Sequence, residues 1–464
     1  MSVILPASQM RADAQVDVAI IGAGACGLVV ALRAVEAGAE VLVLERDPKP
    51  TGSTSMSSGF IPAPATRFQH AIGVDDDTPE RFAADIQAKT KNRADPALVA
   101  TVTEAIGPAL EWLADSHGLE WIVLDDFLYP GHSRHRMHAV PEKTGAALLQ
   151  RLAAAAEAAG VIVATGAHVT GLFADERRIC GVRISRSDGS EEHLACKALI
   201  LACNGYGGNA DLVSQHIPEL AGAQYYGHAG NQGDAVLWGE ALGADIRHLS
   251  AYQGHGSLAH PHQILITWAL VMEGGIQVNV EGRRFSNEHG GYSEQAVNVL
   301  AQPGGITWNV YDQRLHDFAQ SFPDYRDAME AGAIRQADSI ADLARRMGVD
   351  AQPLSETLRT VAALQSGEGT DEFGRDFSGK PALDAPYFAV KVTGVLFHTQ
   401  GGLMVDANAR VLDRSGNPFP NLFAGGGAAC GVSGPEVSGY LSGNGLLTAI
   451  ALGYLAGRKA AVAG

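Results

Sequence analysis

Between Val16 and Glu45 the chain writes out one complete strand–turn–helix–strand unit, and this unit limits the fold more than any other feature. VDVAII, from Val16 to Ile21, is a short apolar strand. GAGACG follows from Gly22 to Gly27, and an apolar-periodic helix runs from about Leu28 to Ala37 with Gly38 as its C-cap. EVLVLE, from Glu40 to Glu45, is a second buried strand that ends on an acid. A glycine pattern of this kind between a strand and a helix is a dinucleotide-binding turn. Gly22 permits the tight turn, Gly24 lets backbone approach a pyrophosphate, and Gly27 allows helix and strand to pack closely. The positive end of the helix then faces the phosphates. Glu45, 23 residues after Gly22, accepts hydrogen bonds from ribose hydroxyls and repels a 2′-phosphate. The ligand is therefore FAD or NAD.

The rest of the chain favours FAD. After Glu45 comes RDPKPTGSTSMSSGF, from Arg46 to Phe60, a small-residue loop suited to a large planar ligand. A second glycine cluster, CNGYGGN from Cys203 to Asn209, follows another core strand, and further glycine turns lie near the C-terminus. Turns so far apart in sequence suit an extended dinucleotide held along its whole length.

Strand patterns return from Val161 to Cys203, with Ser187–Asp188–Gly189 as a hairpin turn. Residues 236–380 differ in texture, with a strand at 275–280 and helix patterns at 339–346 and 354–364. After Pro386 the chain goes back to strands and glycine turns, then ends in a helix from about Asn444. The expected architecture is α/β with an α+β cap: a Rossmann-like FAD-binding domain, 1–235 plus 381–464, interrupted by a capping domain, 236–380. The 464 residues suffice for two or three domains.

Charge narrows the partners. Asp plus Glu number 51 against 34 Lys plus Arg, a net charge of −17, which argues against nucleic acid or anionic membrane as a general partner. Five scattered cysteines without a C-x-x-C read as reduced, mostly buried thiols rather than a disulfide framework or zinc site. The first residues carry no signal-peptide pattern. No apolar stretch approaches the roughly 18 residues of a membrane span. The expectation is a soluble cytoplasmic protein without a metal.

With these motifs in hand, the chain resembles the fumarate reductase/succinate dehydrogenase flavoprotein superfamily, which includes the 3-ketosteroid dehydrogenases. The resemblance rests on Gly22–Gly27 with Glu45, on TGSTSMSSG from Thr51 to Gly59, and on LACNGYGGN from Leu201 to Asn209. It continues through Gly233–Asp234, EGRRFSNE from Glu281 to Glu288, and HTQGGLMVD from His398 to Asp406. NLFAGGG from Asn421 to Gly427 and SGNGL from Ser442 to Leu446 complete it. It implies a cap that closes over the flavin, and hydride transfer between flavin N5 and a carbon beside an activated C–H. By this register the cofactor contacts are Gly22, Gly24, Ala25, Cys26 and Gly27, then Glu45 and Arg46, then Ser53, Thr54, Ser57, Ser58 and Gly59. Further contacts are Val169, Asn204, Gly205, Asp234, Gly425, Gly426, Gly445 and Leu446. The histidine that carries covalent flavin in some relatives is absent from Thr51–Ser58, so non-covalent FAD is implied.

Departures from the fumarate reductase pattern shape the functional reading. Tyr292 stands where those enzymes carry an acid–base arginine, and Tyr440 where they carry an arginine that grips a carboxylate. Gly427 replaces a glutamate that contacts the ribityl chain. Tyr292 and Tyr440 instead match the ketosteroid dehydrogenases and cyclic-ketone desaturases. That resemblance implies Tyr292 as base, Tyr440 O–H and Asn444 N–H as donors to a substrate carbonyl, and Ser442 as a second proton-transfer candidate. His398 matches a substrate-binding histidine of fumarate reductases. An ordinary tyrosine titrates near pH ~10, so as a base it needs a cationic or hydrogen-bonding environment. The expected activity is α,β-desaturation of a neutral ketone, a ketosteroid or smaller cyclic ketone, with an unidentified electron acceptor. The alternative is an ene-reductase of an unsaturated ketone or carboxylate, with Arg283 or Arg284 recruited to bind it. HGSLAHPH, from His255 to His262, reads as a pocket-lining loop. LYPGHSRHRMH, from Leu128 to His138, reads as a solvated basic loop, with Tyr129 and His132 as substrate-contact candidates.

Overall fold

A computed structural model of the chain describes residues 3–126 and 128–463. It divides into two compact units: Met1–Pro218 with Gly227–Tyr252 and His398–Gly464, and Glu219–Tyr226 with Gln253–Phe397.

The first unit is built on a nine-stranded sheet whose middle is parallel. Ala14–Ile21 lies between Val41–Leu44 and Glu191–Leu201, with Ile20 level with Val43 on one side and Ile200 on the other. Pro418–Ala424 joins Glu191–Leu201 on its far edge, also in parallel. These strands read as unbroken apolar runs because helices cover them. Ala25–Glu36 and the C-terminal helix Asn444–Ala460 do so with Leu28, Leu32, Leu447, Ile450 and Leu452, all buried. The glycines make this packing possible. An added Cβ on Gly27 would fall 1.9 Å from the Gly22 carbonyl oxygen, and Gly22 turns with φ +105°.

Residues 61–160 carry no nucleotide-binding motif, yet among the described residues they supply the long helices Pro79–Lys89, Pro96–His117 and Gly145–Ala158. Pro96–His117 is long and apolar enough to cross a bilayer by length and composition alone. Leu98, Val102, Ile106, Leu110 and Leu113 of that helix are buried in the core of the unit, the ordinary behaviour of a core helix.

The second unit is a mostly antiparallel seven-stranded sheet with helices packed on it. Its long strand Tyr387–Thr399 pairs with Ile306–Asp312 and with Ile334–Ala337. The helices expected at 339–346 and 354–364 are Ile340–Met347, capped by Ser339, and Ala351–Gln365, capped by Asp350. The unit edges differ from 236–380. Helix Asp234–Leu242 packs with the first unit, and Tyr387–Thr399 is paired along its length, so the sheet does not divide at 381.

Candidate functional site

In the first unit the glycine turn is locked by side chains as well as by its own backbone. Glu45 accepts from the Ala23 N–H and the Asp47 N–H, both at 2.9 Å, and so ties the turn to the end of its strand. A carboxylate has about four acceptor sites, which leaves capacity for ribose hydroxyls. Ala25 N–H donates to Thr54 Oγ1 at 3.1 Å. Helix Ala25–Glu36 begins at Gly24, which offers no side-chain cap, so beyond the Ala25 N–H taken by Thr54 its first turn faces a ligand with the N–H groups of Cys26 and Gly27.

The loop after Glu45 folds onto this turn. Ser53 Oγ accepts from Asn204 Nδ2 at 2.9 Å and from Asn231 Nδ2 at 2.8 Å, so both its lone pairs are used and its own O–H is left to donate. Ser57 Oγ donates to Thr54 O and accepts from Gly59 N–H. Ser58 is exposed. Arg46 lies against Gly230, where a Cβ would fall 1.2 Å from its Nη2. Val169 is a buried strand residue, Asp234 opens a helix behind Gly233, and Gly205 and Gly425 are buried beside the same strand ends. Gly426 turns with φ +60°. Asn204, itself at φ +64°, fills the space ahead of Gly427: a Cβ there would fall 2.1 Å from Asn204 Oδ1. No local sequence signal pointed to Gly145, Asn231 or Gly230. Gly145 is required because a Cβ would fall 2.0 Å from Thr54 O, a contact made across distant sequence.

The C-terminal segment forms a second constellation in the same unit. Tyr440 and Ser442 are buried, Gly443 turns with φ +86°, and helix Asn444–Ala460 starts without a side-chain cap. Asn444 Nδ2 donates to Ser433 Oγ at 3.2 Å, and Ser433 Oγ donates to Gln400 Oε1 at 2.8 Å. His398 Nδ1 lies 3.0 Å from Gln400 Nε2 and 3.4 Å from the Thr399 carbonyl oxygen; with the nearer amide as its donor, the imidazole proton sits on Nε2. Burial pushes His398 down to about 4, so the ring is neutral. The ring lies against Gly445, where a Cβ would fall 3.1 Å from Nε2. Two findings correct the sequence reading here. Asn444 N–H donates to Leu441 O at 3.1 Å, closing the turn, and is not turned towards a substrate oxygen. Its side-chain Oδ1 is the atom that is buried without a protein partner. Leu446 is half-buried on the first turn of the helix.

The segment 128–138 is solvated only in part: Leu128, Gly131 and Ser133 are exposed, while His132 and the residues from Arg136 onward are buried. Arg136, fully buried, is held by Asp77 in two hydrogen bonds, 2.9 and 2.7 Å, and by Asp85 at 2.5 Å. His132 and His138 are buried with it, and Tyr129 packs edge-on to Phe60.

In the second unit Tyr292 opens helix Tyr292–Leu300. Its ring stacks on His255 with centroids 5.0 Å apart, and meets Trp268 edge-on at 6.2 Å. His255 also stacks on Phe397 at 5.3 Å. His255 sits inside strand Tyr252–Ala259, so the histidines at 255, 260 and 262 do not form the loop expected. Its Nδ1 accepts from Ser257 N–H at 3.1 Å, and burial pushes the ring down to about 3. Arg284 is engaged elsewhere: it bonds Glu288 at 2.9 and 2.7 Å and Asp371 at 2.5 Å. Arg375 meets the same Glu288 at 3.0 Å. Arg283 is exposed beside Glu356. Among the described residues no group of three or more His, Cys, Asp or Glu side chains is placed to hold a metal ion.

The features of the first unit fit FAD on their own terms: an uncapped helix start beside a glycine turn, a hydroxyl with only its proton left to give, and a second uncapped helix start with an orphaned buried amide oxygen. Comparisons with known proteins agree. The chain is similar to a fumarate reductase (cytochrome) of Shewanella frigidimarina, 28% identical over 450 residues, covering 96% of this chain and 77% of that one. Its fold matches the open conformation of a flavocytochrome c3 fumarate reductase at TM-score 0.83 and 26% identity, over 97% of this chain and 79% of the other. It also matches the 3-ketosteroid-Δ4-(5α)-dehydrogenase of Rhodococcus jostii RHA1 at TM-score 0.77 and 25% identity, over 98% of both chains. The model of the FAD binding domain family matches residues 17–446, so the chain belongs to that family and is an FAD-binding oxidoreductase.

Proposed function

We propose that this flavin oxidoreductase acts on a CH–CH bond beside the carbonyl of a neutral ketone, removing one hydrogen from each carbon. The observation that carries the reading is the setting of Tyr440. It stands where a carboxylate-binding relative places arginine, and it meets a neutral His398 held in a chain of uncharged groups, Gln400, Ser433 and Asn444. The buried arginines described above, Arg136, Arg284 and Arg375, are each already paired with carboxylates. A dianionic substrate buried among neutral groups would carry a large desolvation cost, whereas a ketone oxygen needs only donors. Tyr440 O–H and His398 Nε2–H are the donors assigned to it here, with His398 taking the part expected of the Asn444 N–H. Two donors aimed at that oxygen stabilise it as it becomes enolate-like, and this makes the α proton acidic. Tyr292 is the base that the resemblance to ketosteroid dehydrogenases implies for the α proton. Ser442, acting through Tyr440, is the other candidate to take that same proton. FAD, held non-covalently, supplies the acceptor for the β hydride.

The likeness to fumarate reductases favours a second reading, reduction of an unsaturated carboxylate. One experiment separates the two. The purified yellow protein is mixed anaerobically with 3-ketosteroids, cyclohexanone-type ketones and succinate, and the flavin absorbance is followed. Bleaching by a ketone supports desaturation. Bleaching by succinate alone defeats the ketone reading. No bleaching, with prompt reoxidation of the chemically reduced flavin by an enone, reverses the direction.

A further inference from the structure

The segment 131–136, in which His132 and Arg136 are buried, touches the chain at residues 441 and 442 through two contacts that local sequence does not announce. Gly131, at φ +84°, makes room for Leu441: a Cβ there would fall 2.7 Å from Leu441 Cδ1. Next to it, His132 places its Nε2 3.1 Å from the carbonyl oxygen of Ser442. The other ring nitrogen, Nδ1, is 3.3 Å from Arg136 Nη1. A guanidinium has only donors, so Nδ1 must accept and the ring proton must sit on Nε2. That proton is then donated to Ser442 O. The arrangement does not depend on the choice of an ambiguous amide or hydroxyl orientation.

Everything around His132 resists movement. Its ring stacks on Phe82 with centroids 5.8 Å apart, and the Arg136 guanidinium lies over the same Phe82 ring at 4.5 Å. Arg136 is fixed in turn by Asp77 and Asp85, and Asp77 also accepts from Gln69 Nε2 at 2.8 Å. Asp85 accepts from both the N–H and the O–H of Ser133. The charged groups that face the imidazole are therefore Arg136, Asp77 and Asp85. Burial, with the Arg136 charge adding to it, pushes His132 down to about 4, which keeps the ring in its neutral, single-donor form at neutral pH.

The peptide that His132 grips lies between Tyr440 and the helix that starts at Asn444. We propose that His132 is a positioning residue: its Nε2–H, oriented by Arg136, fixes the peptide after Ser442 and so sets the direction in which Tyr440 and the first turn of the C-terminal helix are presented to the substrate. Resting on the reading of Tyr440 as a carbonyl donor, this adds a rigid support from residues distant in the chain, His132 and Arg136. A misdirected donor loses more in the transition state than in the bound substrate, so the effect belongs in kcat.

The test compares two variants of the full chain loaded with FAD. His132→Phe keeps the ring stack on Phe82 and deletes the N–H. His132→Gln restores an N–H near the position of Nε2. The substrate is whichever compound bleaches the wild-type flavin. His132→Phe is expected to lose about ten- to a hundredfold in kcat, with KM changed by less than roughly threefold and FAD content unchanged. His132→Gln is expected to recover most of that loss. A Phe variant within about twofold of wild type overturns the proposal. So does a folded, FAD-loaded Gln variant as slow as Phe, because the N–H is then irrelevant. A Phe variant that cannot hold FAD or fold, beside a Gln variant of wild-type rate and reduced melting temperature, also overturns it and assigns His132 to stability. The ketone reading fails separately, when no ketone bleaches the wild type. The same comparison is then run with an unsaturated acid and reduced flavin, with the same expectations.

Discussion

The rings of His398 and Tyr440 meet edge to face, with centroids 5.7 Å apart and planes at 74°. His398 cannot turn freely, because Gln400 holds its Nδ1 and Gly445 lies under its edge. A neutral imidazole in that position shapes the surroundings of Tyr440 without adding charge.

Tyr440→Phe tests this directly. The phenol oxygen is removed, and the ring that packs on His398 is kept. Loss of one donor to a developing oxyanion typically costs about a hundred- to a thousandfold in kcat. The expected outcome is a yellow, FAD-loaded protein whose anaerobic bleaching by a ketone slows by about that factor. An unchanged bleaching rate removes Tyr440 from the site.

The nucleotide half of the fold was legible because local sequence determines it. Gly22, Gly24 and Gly27 are spaced by backbone geometry, and Glu45 ends the strand that follows. Strands that are apolar throughout announce a covered parallel sheet. The helix starts at Ser339 and Asp350 were legible through their caps. What stayed hidden depends on partners distant in the chain. Arg136 looks like one charge in a basic loop until Asp77 and Asp85 are folded against it. Arg284 looks available for substrate until Glu288 and Asp371 close on it. The Asn444 N–H looked free because its acceptor, Leu441 O, belongs to a turn whose glycine pattern also fits an open helix mouth.

Buried neutral histidines predict an acid-side loss of stability. Burial pushes His132, His138 and His398 down to about 4 and His255 to about 3. In the unfolded chain each titrates near pH ~6.5. Between those values the unfolded state binds protons that the native state does not, so stability is intact above the unfolded pKa and falls as the pH drops below it. The slope approaches about 1.4 kcal/mol per pH unit for each such histidine. The melting temperature of the FAD-loaded protein is therefore expected to fall steadily from pH 7 to pH 5, above the range where paired carboxylates are protonated. A flat profile over that range means that these rings take up protons in the folded state.

Glu288 holds two buried arginines, Arg284 and Arg375, in the second unit. Glu288→Gln keeps the size and removes the charge, leaving Asp371 as the carboxylate partner of Arg284. Breaking one partner of a buried ionic network commonly costs about 3–5 kcal/mol. Thermal unfolding is expected to show a lower melting temperature with FAD affinity little changed, since the contacts assigned to FAD lie in the first unit. A Gln variant as stable as wild type makes the network dispensable.

Gly427 and Asn204 compete for one space, which makes them a testable pair. A Cβ on Gly427 would fall 2.1 Å from Asn204 Oδ1, and that oxygen accepts from Gly205 N–H at 2.8 Å while the amide nitrogen donates to Ser53. Gly427→Ala must therefore push the Asn204 amide off Ser53, with a strain cost of about 1–3 kcal/mol. Because Ser53 is a cofactor-contact candidate, the expected readout is FAD affinity, weakened by roughly tenfold or more. Asn204→Gly removes the obstructing side chain at a position whose φ of +64° suits glycine. In the double variant the alanine no longer meets the Asn204 amide, and only the Gly205 backbone nitrogen, 3.0 Å from the added Cβ, stays close, so adding Gly427→Ala to Asn204→Gly is expected to cost much less affinity than it does alone. Titration of apo-protein with FAD, followed by quenching of flavin fluorescence, gives all four dissociation constants. Additive losses in the double variant mean that the two residues act separately and that the steric account of Gly427 is wrong.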